Sequence, residues 1–171
     1  MSLMDQYFKR PVIWDYSIGL VSVFISMKLI KSNIISYPSI TDSLSLTTDL
    51  TNITLTLSGF VLTILTILIS YKSSINLKRK DINSNLTSFD YFFASDYYYQ
   101  TVHHLKNCIK SILIISTFGF SLKLFLPENI KIYTYYFNIL GLIVTILTIW
   151  RCLLILNKVI SLQQNEKNKS S

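Results

Sequence analysis

The chain has 171 residues, of which 50% are hydrophobic, with a mean hydropathy of +0.43 and a formal net charge of +7. Such a chain is too apolar and too short for an ordinary soluble globular protein, and no sizeable soluble domain fits between its apolar stretches. Four such stretches predict an all-α, polytopic membrane protein, a single membrane domain over 1–171 with spans at about 12–30, 50–71, 108–126 and 132–156.

The positive charges follow a topological pattern. With the N-terminus in the cytosol, twelve of the sixteen Lys and Arg residues fall on the inner side of the predicted spans. This is the bias expected of a protein whose N- and C-termini are both cytosolic. We therefore expect an integral protein of a bacterial inner (cytoplasmic) membrane with the lipid bilayer as its partner, and no direct binding to nucleic acid.

The first predicted span begins after Pro11, a residue suited to the first turn of a helix because its missing N–H is not needed there. Lys28 and Lys31 mark the other end, where long cationic side chains reach the headgroups. Asp42 and Asp49 are expected to cap the second span, with Asp49 at the N-cap position.

The second span, 50–71, has twenty-two residues without a charge, long enough to cross a bilayer core of ~30 Å at ~1.5 Å per residue. Its small and weakly polar residues recur every three or four positions and so share one helical face. This stripe consists of Asn52, Thr56, Gly59, Thr63, Thr66 and Ser70. The fourth span carries a matching stripe of Thr134, Asn138, Gly141, Thr145, Thr148 and Cys152.

The two stripes belong to an internal repeat. Residues 59–67 and 141–149 align without a gap at an offset of eighty-two. A weaker match links 26–29 with 121–124. Together these matches predict two tandem helical hairpins in parallel orientation, related by a pseudo-two-fold axis along the membrane normal.

Residues 72–107 are predicted to form the main cytosolic segment, a hairpin that is basic at its start and aromatic further on. Its candidate lipid or partner contacts are Lys78, Arg79, Lys80, Phe89, Phe92, Phe93, Tyr97, Tyr98 and Tyr99. Ser95 or Asp96 is expected to cap a helix that runs into the third span. The hairpin is either an elbow lying on the membrane or a docking surface for a soluble partner or a neighbouring copy.

Each polar feature of the spans has two interpretations. The stripes either pack helices, because small and hydroxyl-bearing faces allow close approach in lipid, or line a pore formed by several copies. Asp15 and Arg151 lie a few residues inside the first and fourth spans, where ionisable groups are costly unless paired or wetted. They either form an intramembrane ion pair or reach the headgroups independently.

Catalytic and cofactor motifs are missing from the sequence. It has no phosphate-binding Gly-rich loop and no nucleophile elbow, so neither an enzyme nor a cofactor is expected. His103, His104 and Cys108 supply too few ligands for a metal site. Cys108 and Cys152 lie near predicted cytosolic helix ends, where the reducing compartment disfavours a disulfide. The polar tail, 163–171, is predicted to be disordered.

The 57–70 segment, Leu-Ser-Gly-Phe-Val-Leu-Thr-Ile-Leu-Thr-Ile-Leu-Ile-Ser, and the four-helix layout resemble small four-span membrane effectors and accessory proteins of bacterial anti-phage systems, including CRISPR-associated ones. The resemblance implies a homo-oligomer that perturbs the membrane when a cytosolic partner detects infection. We expect a homo-oligomeric protein with a regulated pore or channel-like activity. The alternative is a non-conducting anchor or assembly subunit that recruits a soluble partner through 72–107.

Overall fold

A computed structural model describes most of the chain. The described residues are Tyr7, 10–78, 92–93 and 95–170, with side chains for all of these except 75–78, 158 and 162–170. The described chain is helical and contains no strand. Its helices are α1 (Pro11–Lys31), α2 (Ile40–Lys78), α3 (Asp96–Phe125) and α4 (Thr134–Ser170), and a 3₁₀ helix, Glu128–Tyr133, precedes α4.

The described residues contain four helices long and apolar enough to cross a membrane, and each of α1 to α4 supplies one of them. Most residues of these apolar helices are not buried against the rest of the chain. In the apolar window of each helix, the share of buried residues ranges from 17% in α1 to 39% in α4. Helices that leave so much apolar surface uncovered suit a lipid surrounding, and the predicted all-α class with four helices of spanning length is confirmed.

The second helix is longer than predicted because its start is set by a cap. It begins at Ile40 rather than near 50. The Ser39 Oγ accepts a hydrogen bond from the backbone N–H of Asp42 at 3.1 Å and donates to the Asp42 carboxylate at 2.6 Å. The first of these bonds is a side-chain cap of the N-terminus of α2, and the second orients the capping hydroxyl. Asp42 therefore takes part in the cap, whereas Asp49 lies inside the helix and its predicted N-cap role is wrong.

The third and fourth helices also exceed their predicted spans. The helix predicted to run from this point into the third span is present, because α3 begins at Asp96. The Ser95 hydroxyl donates to the carbonyl of Phe92 at 2.7 Å, so the predicted cap by its side chain stays a prediction. The fourth helix continues to Ser170, where disorder was predicted from 163. Gln, Glu and Lys, which dominate this tail, are good helix formers, so a helix that already exists is easily extended through them.

The first of two compact units comprises the described residues of Met1–Ser58 and Lys110–Thr148. Its apolar core joins Leu50, Ile115 and Val144. Two glycines permit close helix contacts here. A Cβ added to Gly119 would lie 2.5 Å from Thr51 Oγ1, and one added to Gly141 would lie 2.7 Å from the Leu50 Cδ2. No larger residue fits at either position without a shift of its neighbours.

The second unit comprises the described residues of Gly59–Ile109 and Ile149–Ser171. One larger apolar cluster forms its core, with contributions from three helices and from the segment just before α3. The buried members are Val61, Leu65, Leu68, Phe92, Phe93, Tyr98, Leu105, Cys108 and Cys152. Aromatic rings and two thiols thus take the place that aliphatic side chains hold in the first unit.

Candidate functional site

The polar stripe of α2 lies on an exposed face. All six of its residues, from Asn52 to Ser70, are exposed. A Cβ added to Gly59 would meet no described atom within 4 Å. Within a single chain, this stripe therefore does not pack against another described helix.

The matching stripe of α4 has the opposite environment. Its predicted residues, Thr134, Asn138, Gly141, Thr145 and Thr148, are all buried. Thr63 and Thr145 occupy equivalent positions of the sequence repeat, yet the first is exposed and the second is buried. The repeat therefore does not give the two helices the same packing face.

α2 buries a different hydroxyl-bearing face, which the sequence interpretation missed. Its members are Ser43, Thr47, Thr51, Thr54 and Ser58, followed by Val61, Leu65 and Leu68. Their spacing of three or four residues is as regular as that of the exposed stripe. The periodicity of this buried face is visible in the sequence, but the 59–67 repeat favoured the other face as the packing face.

The buried face of α2 is joined to α4 by side-chain hydrogen bonds in the first unit. The Thr47 hydroxyl lies 2.9 Å from Asn138 Oδ1, to which it donates. The Asn138 Nδ2 donates to the backbone carbonyl of Ser43 at 2.8 Å. The predicted packing residue Asn138 thus bonds to two positions of α2 and sets its register against α4.

The exposed hydroxyls of α2 are satisfied within the helix. Thr56, Thr63 and Thr66 each donate to the carbonyl four residues earlier, at 2.9 to 3.0 Å. Back-bonding of this kind lets threonine face an apolar medium without an unpaired donor. Asn52 differs, because its exposed carboxamide makes no hydrogen bond within the described part of the chain.

The two singled-out charges are both completely buried, at 0% exposure. In the first unit, the Asp15 carboxylate accepts a hydrogen bond from the Tyr7 hydroxyl at 2.8 Å. In the second unit, the Arg151 Nε donates to Cys108 Sγ at 3.4 Å. The ion pair between Asp15 and Arg151 stays a prediction.

The aromatic side chains around the start of α3 divide into buried and exposed rings. Phe92, Phe93 and Tyr98 are buried and touch one another, with ring centroids 5.2 to 6.4 Å apart. Tyr97 and Tyr99 remain 70% and 61% exposed. The side chain of Lys78 and the residues Arg79, Lys80 and Phe89, also predicted as lipid or partner contacts, lie outside the described part of the chain.

A cation–π contact links α2 to the start of α3. The Lys72 Nζ lies 3.8 Å from the ring centroid of Tyr99 and 4.2 Å from that of Tyr98. Cation–π contacts of this kind contribute about 0.5–1 kcal/mol at exposed sites. Lys72 therefore links the last turns of α2 to the first turn of α3.

An apolar groove of about 310 Å³ runs between α2 and α4 in the first unit. Leucine and isoleucine side chains line most of it, and Asp49, Tyr135 and Asn138 supply its polar edge. Among the described residues, no group of three His, Cys, Asp or Glu side chains is placed to hold a metal ion. The groove is thus suited to an apolar occupant rather than to an ion.

The architecture is that of a four-helix membrane protein, which the length and composition of α1 to α4 support. Comparison with protein-family models, with curated proteins and with solved structures gave no match.

Proposed function

We propose that the protein is a homo-oligomeric membrane protein whose copies assemble along the exposed stripe of α2 and form a regulated pore. The observation that carries the proposal is the exposure of this stripe, while its repeat counterpart on α4 is buried within the chain. An apolar helix with one uncovered face of small residues is suited to contact another copy, because such a face lets two helices approach closely in lipid.

Asn52 and Gly59 make different contributions to this contact. The carboxamide of Asn52 has no partner in the described chain, and an equivalent group on a second copy could supply one. Interhelical hydrogen bonds of this type contribute about 0.6–2 kcal/mol in membranes. Gly59 leaves open space beside the α2 backbone, so a neighbouring helix could approach closely there.

The hydroxyls of the stripe provide the polar lining that a pore would need. One copy contributes four long helices, too few to surround a wide channel, so a pore requires several copies. If the α2 stripes face a common axis, Thr56, Thr63 and Thr66 form successive hydroxyl rings. Rings of this kind favour a water-filled and weakly selective path.

The orientation in the membrane is part of the proposal. The distribution of Lys and Arg favours cytosolic termini in a bacterial inner membrane. The 72–107 segment then faces the cytosol and would receive the signal that opens the pore. A protease added to spheroplasts, where it reaches only the outer face of the inner membrane, should leave tags on both termini intact. Cleavage of either tag would contradict this orientation.

Conductance tests the pore directly. Purified protein in planar bilayers should give discrete current steps, and Thr63→Val, which removes a stripe hydroxyl at nearly constant volume, should change the step size. Thr117→Val is the matched control, because Thr117 is also exposed and bonds to its own helix at 2.8 Å but lies on α3. If Thr63→Val and Thr117→Val give the same step size, the α2 stripe does not line the lumen.

A second candidate, a non-conducting anchor, is favoured by the exposed rings of Tyr97 and Tyr99 at the start of α3. Tyrosine is enriched at protein interfaces because it combines a large apolar body with a polar tip. A non-conducting anchor should give no current steps in planar bilayers, even when it is oligomeric. Loss of cellular function in Tyr97→Ala, with oligomer and fold retained, would favour the anchor over the pore.

The resemblance to anti-phage membrane effectors extends the pore proposal to a biological setting. A defence effector would depolarise the cell only after infection. Potential-sensitive dye in cells expressing the protein should report a loss of membrane potential that follows phage addition. Depolarisation at the same rate without phage would contradict the defence role while leaving the pore itself supported.

A further inference from the structure

The apolar groove of the first unit lies between two helices that run in the same direction. Thr47 of α2 donates to Asn138 of α4 at 2.9 Å, and Leu50 of α2 lies against Gly141 of α4. From the first contact to the second, the chain advances by the same number of residues on both helices. The groove, about 310 Å³ in volume, therefore begins and ends at matching depths on α2 and α4.

The chemistry of the groove changes along its length. Asp49 and Tyr135 line it on the side where α2 and α4 begin. Its far end is aliphatic and is formed by Ile53, Leu142 and Ile143. An apolar cleft with a few polar groups at one end orients the molecule that it binds. The groove therefore matches an amphiphile with a polar group at one end and an alkyl chain at the other.

Asp49 lies at the depth of a lipid headgroup. It is the last charged residue before the uncharged run 50–71, which is long enough to cross the hydrocarbon core. Tyr135 of α4 lies beside it in the lining, and tyrosine is typical of the interface between membrane and water. From Tyr135 to Ile143 the groove extends ~12 Å along α4, which is close to the ~15 Å of hydrocarbon in one leaflet. An acyl chain of one leaflet therefore fits along the groove.

The carboxylate of Asp49 favours one kind of headgroup. Asp49 is exposed and forms no salt bridge with a described residue, since the salt bridge in this part of the chain joins Lys131 to Glu128. Lys123, which reaches α2 one residue earlier, donates to Thr48 Oγ1 at 2.9 Å. A primary ammonium offers a carboxylate three N–H donors, whereas a quaternary ammonium offers none. A headgroup with a net negative charge is repelled.

We propose that the groove between α2 and α4 is a binding site for phosphatidylethanolamine, with an acyl chain in the groove and the ammonium group on the Asp49 carboxylate. The occupant is a lipid because both helices that form the groove are of spanning length, so that acyl chains are the apolar groups around them. The site requires only the first unit of one chain. It is therefore independent of the proposed pore, and a silent bilayer would leave it unaffected.

Native mass spectrometry of the full-length protein in a neutral detergent tests the site. The protein is titrated with phosphatidylethanolamine, phosphatidylcholine or phosphatidylglycerol, all with the same acyl chains. We expect the first phosphatidylethanolamine to bind about fivefold more tightly than either of the other lipids, which is the upper range for one exposed ion pair. Equal affinities for the three headgroups, or a preference for the anionic one, would overturn the proposal.

Variants separate the headgroup contact from the acyl-chain contact. Asp49→Asn should remove the preference, whereas Glu128→Gln, which removes another exposed carboxylate just before α4, should retain it. Leu142→Trp should fill the groove and weaken the binding of all three lipids. Ile146→Trp is its matched control, because the two side chains are 54% and 55% exposed but Ile146 does not line the groove.

All four substituted positions are exposed, so the variants should fold, and circular dichroism checks this. A headgroup preference that survives in Asp49→Asn would overturn the assigned ammonium contact. Equal lipid binding by the two tryptophan variants would overturn the assignment of the groove as the site of the acyl chain.

Discussion

The glycines of α2 and α3 predict opposite effects of one substitution. Gly119→Ala places a methyl group 2.5 Å from Thr51 Oγ1, whereas Gly59→Ala meets no described atom within 4 Å. The Thr51 hydroxyl cannot retreat freely, because it donates to the carbonyl of Thr47 at 2.6 Å. We therefore expect the first variant to be less stable than the second.

The magnitude follows from one free-energy term that both variants share and two terms that only Gly119→Ala has. Replacing glycine by alanine within a helix is worth about 1 kcal/mol in either case. At Gly119 this gain is offset by overpacking, which costs about 1–3 kcal/mol, and by the hydrogen bond that Thr51 loses if it rotates, about 1 kcal/mol. Since the helix term cancels, the free energies of unfolding should differ by about 1–4 kcal/mol.

Reversible unfolding in mixed micelles with increasing SDS, followed by circular dichroism, measures this difference. The protein concentration should be low enough that the chain is monomeric, because Gly59 is also a candidate oligomer contact. Equal unfolding midpoints for the two variants, or a lower midpoint for Gly59→Ala, would refute the packing assigned to α2 and α3. A lower oligomer fraction for Gly59→Ala at high concentration, with the monomer unaffected, is the result expected from the proposed assembly.

Three further substitutions test particular contacts. Asn138→Ala should cost about 1–3 kcal/mol of unfolding free energy through two interhelical hydrogen bonds, with Asn52→Ala as the control that removes none from the described chain. Phe93→Ala should cost about 3–5 kcal/mol, because the ring is 2% exposed, and the exposed Tyr97→Ala should be nearly neutral. Lys72→Met should cost about 0.5–1 kcal/mol, and Lys72→Arg should restore it, because a guanidinium also binds aromatic faces. SDS titration of each purified variant checks all three, and equal losses within a matched pair would contradict the assigned contact.

The positions of helix ends show where local sequence sufficed. The start of α3 at Asp96 and the Pro11 start of α1 were predictable, because caps and first-turn residues act within a few positions of themselves. The start of α2 was misplaced by ten residues, since an uncharged run marks what lipid tolerates and does not mark where a helix begins. Ser39 and Asp42, which set that start, lie outside the run.

Composition by itself determined the class of this protein, since four apolar runs of spanning length cannot be buried in a chain of 171 residues. The choice between two equally regular polar faces of α2 was decided only by tertiary structure. Periodicity shows that residues share a face, but whether that face meets Asn138 and Gly141 or stays uncovered depends on which neighbouring helix fits against it. The same holds for the contact of Cys108 with Arg151, because residues about forty positions apart meet only through the packing of α3 on α4.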